Sequence, residues 1–409
     1  MKRPRCFLFL QGVCSPFFVS LANRLKAAGH RVLKVNFNTG DWLYWGGRSA
    51  WNYSGPVTGL GEFLADRYHQ FGITDQLLFG DCRPVHRPAI RQGKLHGIRT
   101  HVFEEGYFRP YWLTLEREGV NGYSLLPRDP DWYREVGPRL PVYGNGQPFR
   151  TPFALRAAHD VAYHLAGIWN PLFFRRYRTH APVNAAVEYC GYLRRLPLLR
   201  FHQPHDNDVV DELIRAAVPF FVLPLQLAGD AQIRVHSRFG DMSEVIELVM
   251  ESFARHAPAE ARLVVKNHPL DMGLVNYRQL IRGLAARFQL AGRVHYMETG
   301  DLAALLRHAR GTVTVNSTVG ALSLALNCPA LALGDPIYNL PGLTCQEPLA
   351  GFWLEPEKPD AALFRHFRNT VIHTTQVNGG FYSRAGIALA VENCREVLER
   401  DRSPLEELL

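Results

Sequence analysis

The sequence predicts an α/β protein of two Rossmann-like domains facing a central cleft, with a helical aromatic-basic insert in the first. Three observations predict it. Residues 7–37 run apolar strand, turn, amphipathic helix, strand. A second strand–helix series begins near residue 220. Between the two lies a polar stretch, His202 to Asp208, that reads as a linker. Alternating strands and helices build parallel sheets, and such sheets bind ligands at the carboxyl ends of their strands.

The elements follow in order. Residues 7–10 form a first apolar strand, and Gln11 to Pro16 a turn. Residues 17–28 place Phe18, Leu21, Leu25 and Ala28 on one helical face, with Gly29 as C-cap. Residues 31–37, 76–80 and 99–103 read as further strands. The insert, about 149–200, carries Trp169, Phe173, Phe174, Arg175, Arg176, Tyr177, Arg178, Tyr192, Arg194 and Arg195. The second series gives strands at 220–225, 262–266, 294–296, 311–315 and 330–333. Helices fall at 243–256, 277–288, 301–309 and 320–326. The domains are 1–205 and 206–384, and a last helix within 385–409 crosses back to the first.

With 409 residues and 47% apolar composition there is material for two cores. A net charge of +8 points to acidic partners: phosphorylated substrates, anionic membrane or nucleic acid. No DNA or RNA module is recognisable, so no nucleic acid is expected. The seven cysteines never form a C-x-x-C pair, which argues against a disulfide framework or zinc and for a reducing cytoplasm. The apolar run after Arg5 stops at Gln11-Gly12, too short for a signal-peptide core. No run approaches the ~20 apolar residues of a spanning helix.

Polar clusters follow the strands. Asn316-Ser317-Thr318-Val319-Gly320 turns a strand into a helix of small residues, where a capping hydroxyl and free N–H groups suit a phosphate. Gly320 would let a ligand approach closely; the plain alternative is a capped helix. Lys266-Asn267-His268-Pro269 leaves a strand end with two cationic groups for a leaving phosphate. Gln226, Asp230, Gln232, Arg234 and His236 crowd the turn after residue 225, where Asp230 offers a nucleophile or base and Arg234 a partner for a carboxylate. Glu104-Glu105-Gly106 is a carboxylate pair for acid/base work, of which alternation turns one to the cleft. Asp81, Arg83 and His86 form a similar cluster, and the insert suits an anionic bilayer. P-loop, G-x-G-x-x-G and G-x-S-x-G signatures are absent, and no metal-ligand spacing or cofactor motif stands out. Metal-independent transfer from a nucleotide sugar fits what remains.

Leu10-Gln11-Gly12 with Ser15-Pro16-Phe17-Phe18, Gly80-Asp81-Cys82-Arg83 with His86, and Glu104-Glu105-Gly106-Tyr107 with Arg109-Pro110 form an ordered set. With Pro224-Leu225-Gln226, Asp230, Gln232-Ile233 and Asn316 to Gly320, the set resembles the capsule polysaccharide biosynthesis/export family, in particular its KpsS/LipB-type branch. The resemblance covers residues 7 to 340. It implies a GT-B-like fold and a retaining β-Kdo transferase that uses CMP-Kdo and no cofactor. The implied acceptor is a lyso-phosphatidylglycerol-type lipid at the cytoplasmic face of the bacterial inner membrane, within a capsule synthesis and export complex. Asp230 matches the expected nucleophile. His268-Pro269 and Ser317-Thr318 are similar to CMP-binding elements of bacterial sialyltransferases. Lys266 joins them on the phosphate and Arg234 takes the Kdo carboxylate. Gln226, Gln232, His236, Asn316 and Gly320 complete the donor side. Gly12, Ser15, Asp81, Arg83, His86 and Arg109 fall on the acceptor side. The family often has Glu-Asp-Gly where this chain has Glu104-Glu105-Gly106. Alternatives are a transferase with another nucleotide sugar, a non-catalytic polysaccharide-binding export factor, or a charge-driven nucleic-acid binder.

Overall fold

A computed structural model describes residues 4–179, 183–227, 233 and 235–409. The strands are β1 (Cys6–Phe9), β2 (Arg31–Asn36), β3 (Trp51–Asn52), β4 (Asp75–Phe79), β5 (Arg99–Glu105), β6 (Trp112–Arg117), β7 (Phe220–Pro224), β8 (Arg262–Lys266), β9 (Val294–Met297), β10 (Gly311–Thr314), β11 (Ala330–Ala332) and β12 (Gln376–Asn378). They form two sheets, one in each of two compact units. The class is mixed α/β, with a Rossmann-like arrangement in each unit.

Unit 1 comprises Met1–Leu126, Arg139–His180 and Asn369–Leu409. Its sheet runs β12-β6-β5-β4-β1-β2-β3. β1 to β5 are parallel, while β6 and β12 are antiparallel additions at one edge. Alternation along β1 divides the core. Phe7 and Phe9 pack with helices Phe17–Ala27 and Arg384–Leu398, whereas Leu8 faces Leu64 of helix Leu60–Phe71 and Ala89 of helix His86–Leu95. Each such buried side chain contributes roughly 1.5–3 kcal/mol.

Unit 2 comprises Pro127–Pro138 and Ala181–Arg368. Its sheet, β11-β10-β7-β8-β9, is parallel throughout. Phe221, Leu223, Val265 and Val313 meet helices Met242–His256 and Tyr277–Arg287 on one face. Phe220, Val222 and Val264 meet helices Ala185–Arg215 and Leu302–His308 on the other.

The supposed linker at 202–208 is helix. It lies inside Ala185–Arg215, which holds together despite Pro197 and Pro204. Packing outweighs the two prolines, because Val210 and Leu213 are buried against the sheet. The boundaries shift accordingly. Helix Ala185–Arg215 belongs to unit 2, so the insert is divided, and the chain re-enters unit 1 at Asn369 rather than 385. Among the described residues, no helix is long and apolar enough to cross a membrane.

Asp206, in the misread stretch, is buried and accepts from Glu298 N (3.0 Å), Thr299 N (2.8 Å) and Thr299 Oγ1 (2.8 Å). Asp206→Ala strands these donors behind β9. It should cost about 3 kcal/mol, seen as a lower urea midpoint at unchanged slope.

Candidate active site

In unit 2, β8, β7 and β10 are neighbours, so the residues after them share one edge. Two strand spacings, roughly 10 Å, separate the outer two. Gln226 stands in the middle. It is buried, and its Oε1 accepts from Asn316 N at 3.1 Å, while Leu225 N donates to Lys266 O at 2.8 Å. Asn316 Nδ2 donates to His236 O at 2.8 Å, which ties the turn after β7 to the end of β10. Ser317 caps helix Thr318–Ala325 by accepting from Val319 N at 3.2 Å, and Thr318 is exposed in its first turn. Gly320 serves the protein rather than a ligand: a Cβ there would stand 2.1 Å from the Tyr338 hydroxyl, which donates to Ser317 O.

The loop after β8 is held from within and from behind. His268 N donates to Asn267 Oδ1 (2.8 Å), and Leu270 N donates to His268 Nδ1 (3.0 Å). An occupied Nδ1 places the proton of the neutral ring on Nε2. From helix Ala185–Arg215, Arg195 donates to the carbonyls of His268 (3.3 Å), Pro269 (3.0 Å) and Asp271 (2.8 Å), and pairs with Glu298 at 2.7 Å. Asn267 Nδ2 donates to the same Glu298 carboxylate at 3.0 Å. Burial works to raise the Glu298 carboxyl, but the Arg195 and Asn267 hydrogen bonds outweigh it and hold the group below its usual range. Arg194 donates to Gly273 O at 2.7 Å. Arg195 is therefore buried rather than part of a bilayer-facing surface, and both arginines brace this loop.

Lys266 follows Val264 on its strand, so alternation turns it toward helix Ala185–Arg215. Burial lowers its pKa, and the carboxylates of Asp206, Glu298 and Asp301 work against that. Asp230, Gln232 and Arg234 lie outside the described residues.

In unit 1, most acceptor-side residues have structural partners. A Cβ at Gly12 would stand 2.7 Å from the Phe18 ring. Arg83 donates to Gly12 O at 3.0 Å and lies over the Phe79 ring. Ser15 Oγ accepts from Phe17 N at 3.2 Å and so begins the first helix. His86 Nδ1 bonds Gly80 O at 2.6 Å, and Asp81 accepts from Val120 N at 2.9 Å. Arg109 is exposed between β5 and β6.

The two carboxylates ending β5 part ways. Glu105 pairs with Arg156 at 3.4 Å. Glu104 turns to the Gly80 bend, and its Oε1 accepts from Glu105 N at 2.9 Å. Burial pushes the Glu104 carboxyl up to about 7; the Glu105 N–H and Arg83 oppose, and the neighbouring Glu105 and Asp81 charges add to the rise. Glu104 thus exchanges a proton near neutrality, as a general acid or base requires.

The sequence reading missed Arg195, Asp206, Glu298 and Asn267 in unit 2. In unit 1 it passed over the role of Gln11, whose Nε2 donates to the hydroxyls of Tyr163 (3.1 Å) and Tyr177 (3.0 Å). Tyr163 in turn donates to Asp41 at 3.1 Å, beside a cavity of about 20 Å³ that has room for one water. Of these, Gln11, adjacent to a glycine turn, and Asn267, inside the strand-end cluster of Lys266 and His268, carried a local signal.

A profile of the family described as "Capsule polysaccharide biosynthesis protein" matches residues 74–382. The chain is 37% identical over 377 residues to the "Capsule polysaccharide export protein KpsS" of Escherichia coli, covering 92% of this chain and 96% of that protein. It is 36% identical over 387 residues to the "Capsule polysaccharide modification protein LipB" of Neisseria meningitidis serogroup B, covering 92% and 91%. A solved structure of the KpsC "beta Kdo 2,7 transferase" of Thermosulfurimonas dismutans aligns at TM-score 0.45 and 14% identity, over 97% of this chain and 100% of that one.

Arg195→Met leaves the largely covered Glu298 without its ion pair and frees three carbonyls. The loss should be about 3–5 kcal/mol in urea unfolding, against about 1 kcal/mol for an exposed pair such as Arg255–Glu251.

Proposed function

The chain belongs to the capsule polysaccharide biosynthesis protein family, and from that premise we propose that it is a glycosyltransferase that moves Kdo from CMP-Kdo to a lipid-linked acceptor with retention. One observation carries the reading. Unit 2 gathers along one sheet edge a His268 ring with its proton on Nε2 and a helix N-terminus capped by Ser317. Both are donors for a nucleotide phosphate.

In this reading Asp230 attacks the anomeric carbon as the bond from that carbon to the CMP phosphate oxygen breaks. CMP leaves with the electron pair. Its charge is met by His268 and by the hydroxyls of Ser317 and Thr318, with Pro269 fixing the bend and Lys266 standing behind it. Gln226, Asn316 and His236 shape the floor, Gln232 adds a polar contact, and Arg234 holds the sugar carboxylate. The acceptor hydroxyl then attacks the same carbon, the Asp230 ester breaks, and the proton passes to a general base, the role proposed for Glu104. Two inversions give retention. The site of action in this proposal is the cytoplasmic face of a membrane that holds the acceptor.

Thermal shift with CMP, UDP, GDP and ADP tests the donor. CMP alone should stabilise, by about 2.7 kcal/mol at a hundred times its Kd; stabilisation by UDP instead, or by none of them, refutes the assignment. Asp230→Ala should abolish transfer while keeping the CMP shift. Only the Glu104 carboxylate accepts a proton, so transfer should climb as pH rises through about 7. Glu104→Gln should flatten that profile and slow turnover roughly 10²-fold, measured by product formation across pH 5.5–8.5 (about one and a half units either side of the midpoint).

A further inference from the structure

Helix Phe153–Ala166 has its amphipathicity reversed. Not one of its residues is buried. Its polar side chains bond into unit 1: Arg156 to Glu105, His159 to Tyr44, Tyr163 to Gln11 and Asp41. Its apolar residues point the other way. Ala154, Ala158, Val161, Leu165, Ile168 and Leu172 recur at helical spacing along this helix and the turns after it, and all six are exposed, Leu165 at 57% and Ile168 at 68%. Trp169 and Phe173 are exposed beside them, and Trp42 of helix Thr39–Trp45 meets the Phe173 ring at 5.9 Å. A folded unit does not normally leave an apolar stripe of this length to water.

The charge next to the stripe indicates what covers it. Arg175, Arg176 and Arg178 follow immediately and are exposed, and no Asp or Glu stands between Asp160 and Glu188. An apolar helical face with tryptophan at its margin and uncompensated arginines beside it fits an anionic bilayer surface: the stripe enters the acyl boundary and the guanidinium groups meet lipid phosphates. We propose that residues 153–178 with Trp42 form a membrane-docking face of unit 1 that recognises anionic lipid headgroups. The proposal rests on the reading that the acceptor is presented in a lipid surface, and it adds the segment that reaches that surface.

Flotation of the full chain tests it, using vesicles of phosphatidylcholine with phosphatidylglycerol and vesicles of phosphatidylcholine alone. The protein should float with the anionic vesicles only, and higher salt should release it. Leu165→Asp with Ile168→Asp should lower binding about tenfold or more, as should Arg175→Ala, Arg176→Ala and Arg178→Ala together. A CMP-induced thermal shift retained in these variants reports that they are folded. Vesicle binding without any CMP response would sink the donor reading and leave this one standing. The docking face is overturned if the wild type ignores anionic vesicles, binds both compositions equally, or floats no better than the Asp variants. It is also overturned if ultracentrifugation shows a dimer that those variants dissociate, which would make the stripe a contact between copies.

Discussion

The Arg195 guanidinium is the point on which the loop after β8 in unit 2 depends. It reaches from a helix into the loop after β8, satisfies three backbone carbonyls there, and is neutralised by Glu298 at the end of β9. Without a cation at that spot the carbonyls of His268, Pro269 and Asp271 would face a carboxylate with no counter-charge. With it, the bend at Pro269 is fixed and the histidine ring has one orientation. A planar, multiply donating cation suits the task, whereas a lysine has too few donors in a fixed geometry.

Much of the fold was legible because periodicity is a local signal. The strand Arg262–Lys266 stands at the positions its apolar run indicates, and helix Met242–His256 starts one residue before the place read from its pattern. What escaped were features whose partner is remote in the chain. Asp206 reads as part of a polar linker until Thr299, ninety-odd residues on, is seen to donate to it. β6 is an antiparallel strand defined by its pairing with β5, and β12 is a three-residue strand that pairs with β6 from 262 positions away. Gly320 looked like a doorway for a ligand, yet its missing Cβ makes room for Tyr338, eighteen positions later. The division of labour between Glu104 and Glu105 shows the limit well. Alternation states that they diverge; the fold then turns Glu104 to the Gly80 bend, where burial raises its carboxyl, and Glu105 to Arg156.

Reversed polarity in the helix Phe153–Ala166 explains why an aromatic-basic stretch can look like an ordinary packed insert. Its inward face is a polar lattice of Gln11, Asn38, Asp41 and Tyr163, so the segment is fastened to unit 1 by hydrogen bonds rather than by apolar burial. Such a fastening leaves the whole apolar face available, which a conventionally packed helix could not do. The second half of the stretch went to a different use: Arg195 is buried in unit 2 and Arg194, exposed beside it, donates to Gly273 O, so the arginine-rich composition covers two unrelated tasks.

The interleaving of the two units in the chain bears on how the protein is made. Unit 1 draws its last strand and its helix Arg384–Leu398 from beyond Asn369, after all of unit 2. On the ribosome, therefore, the first-translated sheet waits with β6 as a naked edge and with Phe17 and Leu21 unroofed while the later unit emerges and folds. Unit 1, begun first, is completed only after the whole of unit 2 has been made.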